Sequence, residues 1–294
     1  MEATNSHGAG LTEFLTGHGE RVVKVCRPKR PPRRGGRKSD VLDAVRAARE
    51  VLCSGHLIQP RRRGQREALR VLVTTRAGAV AARTAAINHL KALSVSAPED
   101  LRAELRGHTS DAQVTYCARL RERPTRDVEH RMTVRALRVT AGRVQTLKAE
   151  ADDLEREITD LVAQVQPELL TLPGVGPISA AQILISWSHP GRFRSEAAFA
   201  TFSGAAPIPA SSGLTNRHRL NRGGDRQLNR ALHTIVLTRS RIDPDTRTYL
   251  ARRQHEGKTL REAKRSLKRI IARKLFRLLQ RHHGNHCPDR LDAP

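Results

Sequence analysis

Residues 199–232 run Phe199-Ala-Thr-Phe-Ser-Gly-Ala-Ala-Pro-Ile-Pro-Ala-Ser-Ser-Gly213 and, after Leu214 and Thr215, Asn216-Arg-His-Arg-Leu-Asn-Arg-Gly-Gly-Asp-Arg-Gln-Leu-Asn-Arg-Ala-Leu232. The stretch sets a turn-borne serine pair, Ser211 and Ser212, beside a dense cluster of arginines and amides. A hydroxyl among fixed cations suits attack on a phosphodiester. Arg217, Arg219, Arg222, Arg226 and Arg230 can hold a backbone phosphate and stabilise charge on its oxygens, and turns at Gly213 and Gly223-Gly224 let main chain come close. The plainer reading is a Ser-Gly turn leading into a basic DNA-binding helix, since serines are common in turns.

Composition points to the same partner. The 294 residues hold 54 Lys plus Arg against 29 Asp plus Glu, a net charge of +25 spread along the whole length. A pI near 11.4 calls for a polyanion. No apolar run reaches spanning length and no signal peptide is visible, so a soluble, cytoplasmic protein is expected. Five Phe, two Tyr and one Trp are few for stacking single-stranded bases, so double-stranded DNA is the better fit. Cys26, Cys53, Cys117 and Cys287 lie far apart and read as reduced thiols. The His282, His283, His286 and Cys287 group reads as a polar terminus rather than a metal site.

Periodicity makes most of the chain helical. Leu11 to Leu15 reads as a short helix, Arg21 to Cys26 as a β-strand, and Ser39 to Leu52 as a helix capped by Ser39. A basic, Pro- and Gly-rich loop separates the last two. Two further helices are expected, Arg66 to Val73 and Ala79 to Leu93, the second starting just after Gly78. From Leu137 the positions Ala141, Val144, Leu147, Ala151, Leu154, Ile158, Leu161 and Val165 form a coiled-coil seam, which serves either a dimer or an internal hairpin with the helix before Pro124. Leu169 to Pro177 and the helix through Trp187 resemble a helix-hairpin-helix DNA-binding element, whose N–H groups at Gly174 and Gly176 would approach a phosphate; the alternative is a glycine turn between packed helices. The last helix carries Leu267, Ile270, Ile271, Leu275 and Leu278 on one side, and arginines and lysines, Lys268 among them, on the other.

Pro207 through Leu232 resembles the C-terminal signature of the DEDD, or Piv-type, transposases of the IS one-ten insertion-sequence class. The resemblance implies that a serine of the Ser-Ser-Gly turn is the nucleophile, Ser211 matching better and Ser212 remaining open. It also covers Glu2-Ala3-Thr4, the Val-Val-Lys-Val segment and the run from Lys38 to Ala44, which are similar to the second half of the family's RuvC-like (RNase H-like) domain. In that family Asp, Glu, Asp and Asp hold Mg2+. Glu2, Asp40 and Asp43 match the last three, and the first aspartate is expected on a strand preceding residue 1. Independently of the family, Asp40 and Asp43 share a face at a helix start and suit a hard cation, although acids are common there for the helix dipole alone.

The expected architecture is therefore mostly α, with a partial RuvC-like α/β domain and helical extension over 1–95. A helical coiled-coil region follows over 96–166, then a C-terminal transposase domain over 167–255 with the helix-hairpin-helix element, then a basic helix and tail over 256–294. The expected activity is DNA cleavage and joining by a homodimer or higher oligomer, and the resemblance adds a structured guide RNA. The competing readings are a non-catalytic DNA-binding remnant, a misread gene start, or a RuvC-like nuclease or junction binder that would not need Ser211.

Overall fold

A computed structural model describes residues 4, 7–25, 40–53, 57, 59–61, 63–209, 218–219, 221 and 223–284. These residues are mostly helical and fall into two compact units. The central unit comprises Glu67–Ile185 and His233–Tyr249; the terminal unit comprises Met1–Arg66, Ser186–Leu232 and Leu250–Pro294.

The central unit is built on two long helices, α3 (Gln65–Ser96) and α6 (Val128–Val165), where α1 (Ala9–Gly17) and α2 (Asp40–Cys53) precede them in the chain. Asp127 starts α6 by accepting the His130 N–H at 2.7 Å, satisfying a donor that the first turn would otherwise leave open. The helix stops at Gln166 before Pro167. Leu137, Ala141 and Val144 of α6 are buried with Ala86 and Leu90 of α3, with Leu105 of α4 (Glu99–Leu105), and with Val114 and Cys117 of α5 (Ser110–Arg119). Arg76 of α3 bonds Glu155 of α6 at 2.6 Å. This end of the predicted seam is thus filled from within the chain, and α5, the helix before Pro124, packs directly on α6.

Where two helices are expected over 66–93, α3 is one. Gly78 in its interior costs about 1 kcal/mol relative to Ala, which packing along a long helix outweighs. Cys117 is fully buried and its thiol is pushed up to about 11 by that burial, whereas Cys53 is exposed. Alkylation of the native protein at neutral pH, read by peptide mass spectrometry, should therefore modify Cys53 at least about 100-fold faster than Cys117. Equal rates would show that the α3–α5–α6 core is open.

In the terminal unit, α9 (Glu196–Phe202) packs on α12 (Leu260–Gly284), whereas α7 (Glu168–Thr171), most of α8 (Pro177–Trp187), the later part of α10 (Arg226–Ile242) and the first part of α11 (Pro244–His255) fall in the central unit. A capping box begins α12: Thr259 Oγ1 accepts the Glu262 N–H at 3.3 Å and Glu262 Oε2 accepts the Thr259 N–H at 3.0 Å. Its buried stripe is Ala263, Leu267, Ile271, Leu275 and Leu279, a four-residue repeat, while Ile270 is exposed and Leu278 only half-buried. The expected stripe was therefore rotated by part of a turn. Phe199 lies under it, its ring 5.7 Å from that of Phe276.

At the N-terminal end the expected strand over 21–26 is reduced, among the described residues, to a lone bridge at Lys24, and Cys26 lies outside them. Both α1 and α2 form as expected, without a buried residue in either. Ser39, the expected cap, lies outside the described residues.

Candidate functional site

The site grows from the junction of α9 and α10 in the terminal unit. Ser195 caps α9, its Oγ accepting the Ala198 N–H at 3.2 Å, and the helix ends at Ser203, whose hydroxyl donates back to the Ala200 carbonyl at 2.8 Å. Gly204 then turns the chain with a φ of +69°. Two short antiparallel strands follow, β1 (Ile208–Pro209) and β2 (His218–Arg219), with Ile208 opposite Arg219 and Pro209 opposite His218.

Both ends of this hairpin are tied to the helices. A side chain on Gly224 would put its Cβ 2.6 Å from the Phe202 carbonyl and 2.8 Å from the Gly204 nitrogen, so only glycine permits the main chains to touch. Asp225 donates its N–H to that same Phe202 carbonyl at 2.6 Å. Its Oδ1 caps α10 by accepting the Gln227 and Leu228 N–H groups at 3.0 Å, and its Oδ2 accepts the Ser186 hydroxyl at 2.9 Å. Asn229 donates from Nδ2 to the Ser203 carbonyl at 2.8 Å and accepts Lys268 Nζ at 3.1 Å. Asn221 donates to the Thr201 carbonyl at 3.0 Å and accepts the Gly223 N–H at 2.9 Å. Thus the chain leaving α9 and the chain entering α10 are clamped together at several points.

Lys268 was expected on the solvent-facing charged side of α12. It is buried instead, and burial, with Arg265 nearby, lowers its pKa. Arg273 and Arg277 are likewise committed, both bonding Glu196 and holding its carboxyl below the usual range. The basic face of α12 is accordingly narrower than the sequence implies.

Of the predicted site residues, Glu2, Ser211, Ser212, Arg217 and Arg222 lie outside the described residues. Arg219 lies on β2, and Arg226 and Arg230 are exposed on α10, four apart and so on one face. In the central unit, Gly174 has a φ of +74°, and a Cβ there would come within 2.8 Å of Arg239 Cγ and 3.0 Å of the Ile235 carbonyl. That glycine seats its turn against α10. Gly176 faces open space, its carbonyl accepting the Ala180 N–H at 2.9 Å in the first turn of α8.

Asp40 and Asp43 stand together in the first turn of α2, Asp40 exposed and Asp43 3.5 Å from Arg46. Two carboxylates, one facing a guanidinium, do not make a magnesium site, and no group of three or more possible ligands occurs among the described residues. The described residues therefore do not fit the ion by themselves. Asn221, Asp225 and Asn229 are functional candidates that the sequence reading does not single out, and Lys268 is named there only as a cation on the charged side of its helix. The Gly-Gly-Asp-Arg-Gln-Leu order at 223–228 is the signal that could have found Asp225, a helix cap directly after a turn.

Residues 166–251, which carry this hairpin and all of α10, match the transposase family IS116/IS110/IS902. This segment of the chain is similar to that family. Two proteins similar to the chain are insertion-element proteins. It is 35% identical to the uncharacterized 43.6 kDa protein of insertion element IS110 from Streptomyces coelicolor over 143 residues, 48% of this chain and 35% of that protein. It is 29% identical to the uncharacterized 42 kDa protein of insertion element IS900 from Mycobacterium paratuberculosis over 299 residues, 86% of this chain and 74% of that protein. No described helix of the chain is long and apolar enough to cross a membrane.

Proposed function

We propose that the protein cleaves and joins double-stranded DNA at the ends of an insertion sequence, with Ser211 as the nucleophile and Ser212 as the alternative. The observation that carries this reading is the Gly204–Gly224 contact within the family-matched segment. It fixes both ends of the stretch holding the serines next to a helix that presents Arg226 and Arg230.

In the proposed step the serine Oγ bonds to phosphorus as the bond from phosphorus to the leaving sugar oxygen breaks. The serine loses its proton and the leaving oxygen gains one. A hydroxyl of the second DNA strand then attacks the phosphoserine, joining the strands and restoring the serine. Arg226 and Arg230 hold phosphates and offset charge on the oxygens as each exchange proceeds. Magnesium bound through Glu2, Asp40 and Asp43, a guide RNA and a homodimer belong to the proposal through the resemblance, and no step is routed through them here.

The test is to incubate the protein with duplexes carrying the element ends and separate the products under denaturing conditions. A DNA strand covalently attached to the protein at a serine of the 211–212 pair, located by peptide mass spectrometry, is the expected result. Joined DNA without any serine-linked intermediate would overturn the nucleophile, and duplex binding without cleavage would favour a DNA-binding role alone.

A further inference from the structure

The basic side of α12 has a regularity that the proposed chemistry does not use. Arg261, Arg265, Arg269, Arg273, Arg277 and Arg281 recur at every fourth residue. The buried stripe of Ala263, Leu267, Ile271, Leu275 and Leu279 keeps the same interval two residues away. Two residues turn an α-helix by about 200°, so each arginine stands nearly opposite the buried row. The two rows wind around the helix together, and none of these arginines is buried. Four residues rise about 6 Å, comparable to the step between neighbouring phosphates of one nucleic-acid strand, and the row is about 30 Å long.

Acids leave most of this row uncompensated. Glu262 is the one acid of α12, and its carboxylate is taken by the Thr259 hydroxyl and N–H at 2.8 and 3.0 Å, with Lys258 and Arg265 as further charges around it. Among the described residues, Arg261, Arg265, Arg269 and Arg281 have no carboxylate at ion-pair distance. Arg273 and Arg277 differ. Glu196, in the first turn of α9, gives one oxygen to each, accepting Arg273 Nε at 2.6 Å and Arg277 Nε at 2.7 Å. A phosphodiester would offer its two non-bridging oxygens in the same way. The bridge sits at the surface, the arginine side chains being 42% and 59% exposed, so a strand can reach this place. Surface pairs of this kind contribute little to folding, and the chief effect of the carboxylate is on the charge of the row.

We propose that the α12 arginine row is a track for the phosphate backbone of one strand of duplex DNA, and that Glu196 closes its Arg273 and Arg277 places. The identity of the polymer rests on the proposed function above; the closure by Glu196 does not. The unaltered chain then grips the strand through Arg261, Arg265 and Arg269, and the carboxylate keeps the affinity below what the full row would give.

The experiment measures the affinity of the full chain for a short duplex by fluorescence anisotropy across a salt series. Glu196→Gln is expected to steepen the slope of log affinity against log salt by about 1.8, two phosphate contacts at about 0.9 each, and to tighten binding at least about tenfold. Arg273→Gln with Arg277→Gln should leave the slope of the unaltered chain as it is, and should cancel the gain when added to Glu196→Gln. Arg269→Gln should make the slope shallower by about 0.9. An unchanged slope in Arg269→Gln overturns the track. An unchanged slope in Glu196→Gln overturns the closure, and so does a gain that survives the loss of Arg273 and Arg277. Should Glu196→Gln fail to melt cooperatively, Glu196→Asp, one methylene shorter, releases one arginine and should steepen the slope by about 0.9, no change again overturning the closure. Should the unaltered chain bind no duplex, the proposed function fails by itself. The same variants compared on a short inorganic polyphosphate then decide the track, tighter binding by Glu196→Gln supporting it and equal binding overturning it.

Discussion

Ser211→Ala is expected to abolish strand transfer, lowering its rate about 10⁴-fold, while the affinity for duplex DNA falls at most about fivefold. The two magnitudes separate because the hydroxyl has two different jobs. As a nucleophile it makes the bond on which the covalent path depends, and alanine offers nothing in its place. As a binding group it contributes at most one neutral hydrogen bond, worth about 1 kcal/mol. The same assays on Ser212→Ala should show both quantities near those of the unaltered protein. If Ser212→Ala is the variant that loses transfer and Ser211→Ala keeps it, the roles of the two serines are exchanged. Transfer retained by both single variants and by the double variant would remove serine chemistry from the proposal.

How much of this arrangement could be read from the residues depends on whether the cause is local. The cap of α10, the turn at Gly223-Gly224 and the helical character of 260–284 follow from short-range rules, and each appears in the structure. The clamp on the hairpin is different. Asn229 reaches Ser203 and Lys268, 26 and 39 residues away in sequence, and no spacing pattern announces such contacts. Lys268 was misplaced for that reason: on charge alone it belongs outside, and only the Asn229 carbonyl beneath it explains its burial. The α6 seam was visible as a period, but a heptad does not say whether its partner is α3 of the same chain or a second molecule. The N-terminal strand shows the reverse error. Arg-Val-Val-Lys-Val has strand propensity, yet a strand needs a neighbour, and among the described residues only Lys24 forms a bridge.

Gly224→Ala is expected to loosen the hairpin base, costing about 3 kcal/mol in the terminal unit, because the added methyl meets backbone that cannot rotate away. Its Cβ would stand 2.6 Å from the Phe202 carbonyl and 2.8 Å from the Gly204 nitrogen, both well inside contact distance. Relief requires the chain leaving α9 to separate from the chain entering α10. That movement stretches the 2.6 Å bond from the Asp225 N–H to Phe202 and strains the 2.8 Å bond from Asn229 to Ser203. Gly223→Ala is the matched control, since its nearest neighbour would be Asn221 Oδ1 at an ordinary 3.4 Å. The melting temperature of Gly224→Ala should fall by about 6–12 °C, and amide exchange should speed up at Asp225 and Gly204 before the α9–α12 core is affected. Strand transfer should fall with it even below the melting transition, because a serine displaced by about 1 Å no longer meets a phosphate in line. If Gly224→Ala melts and exchanges like Gly223→Ala, the two main chains are not in contact, and the hairpin is not held in the way that the proposed chemistry requires.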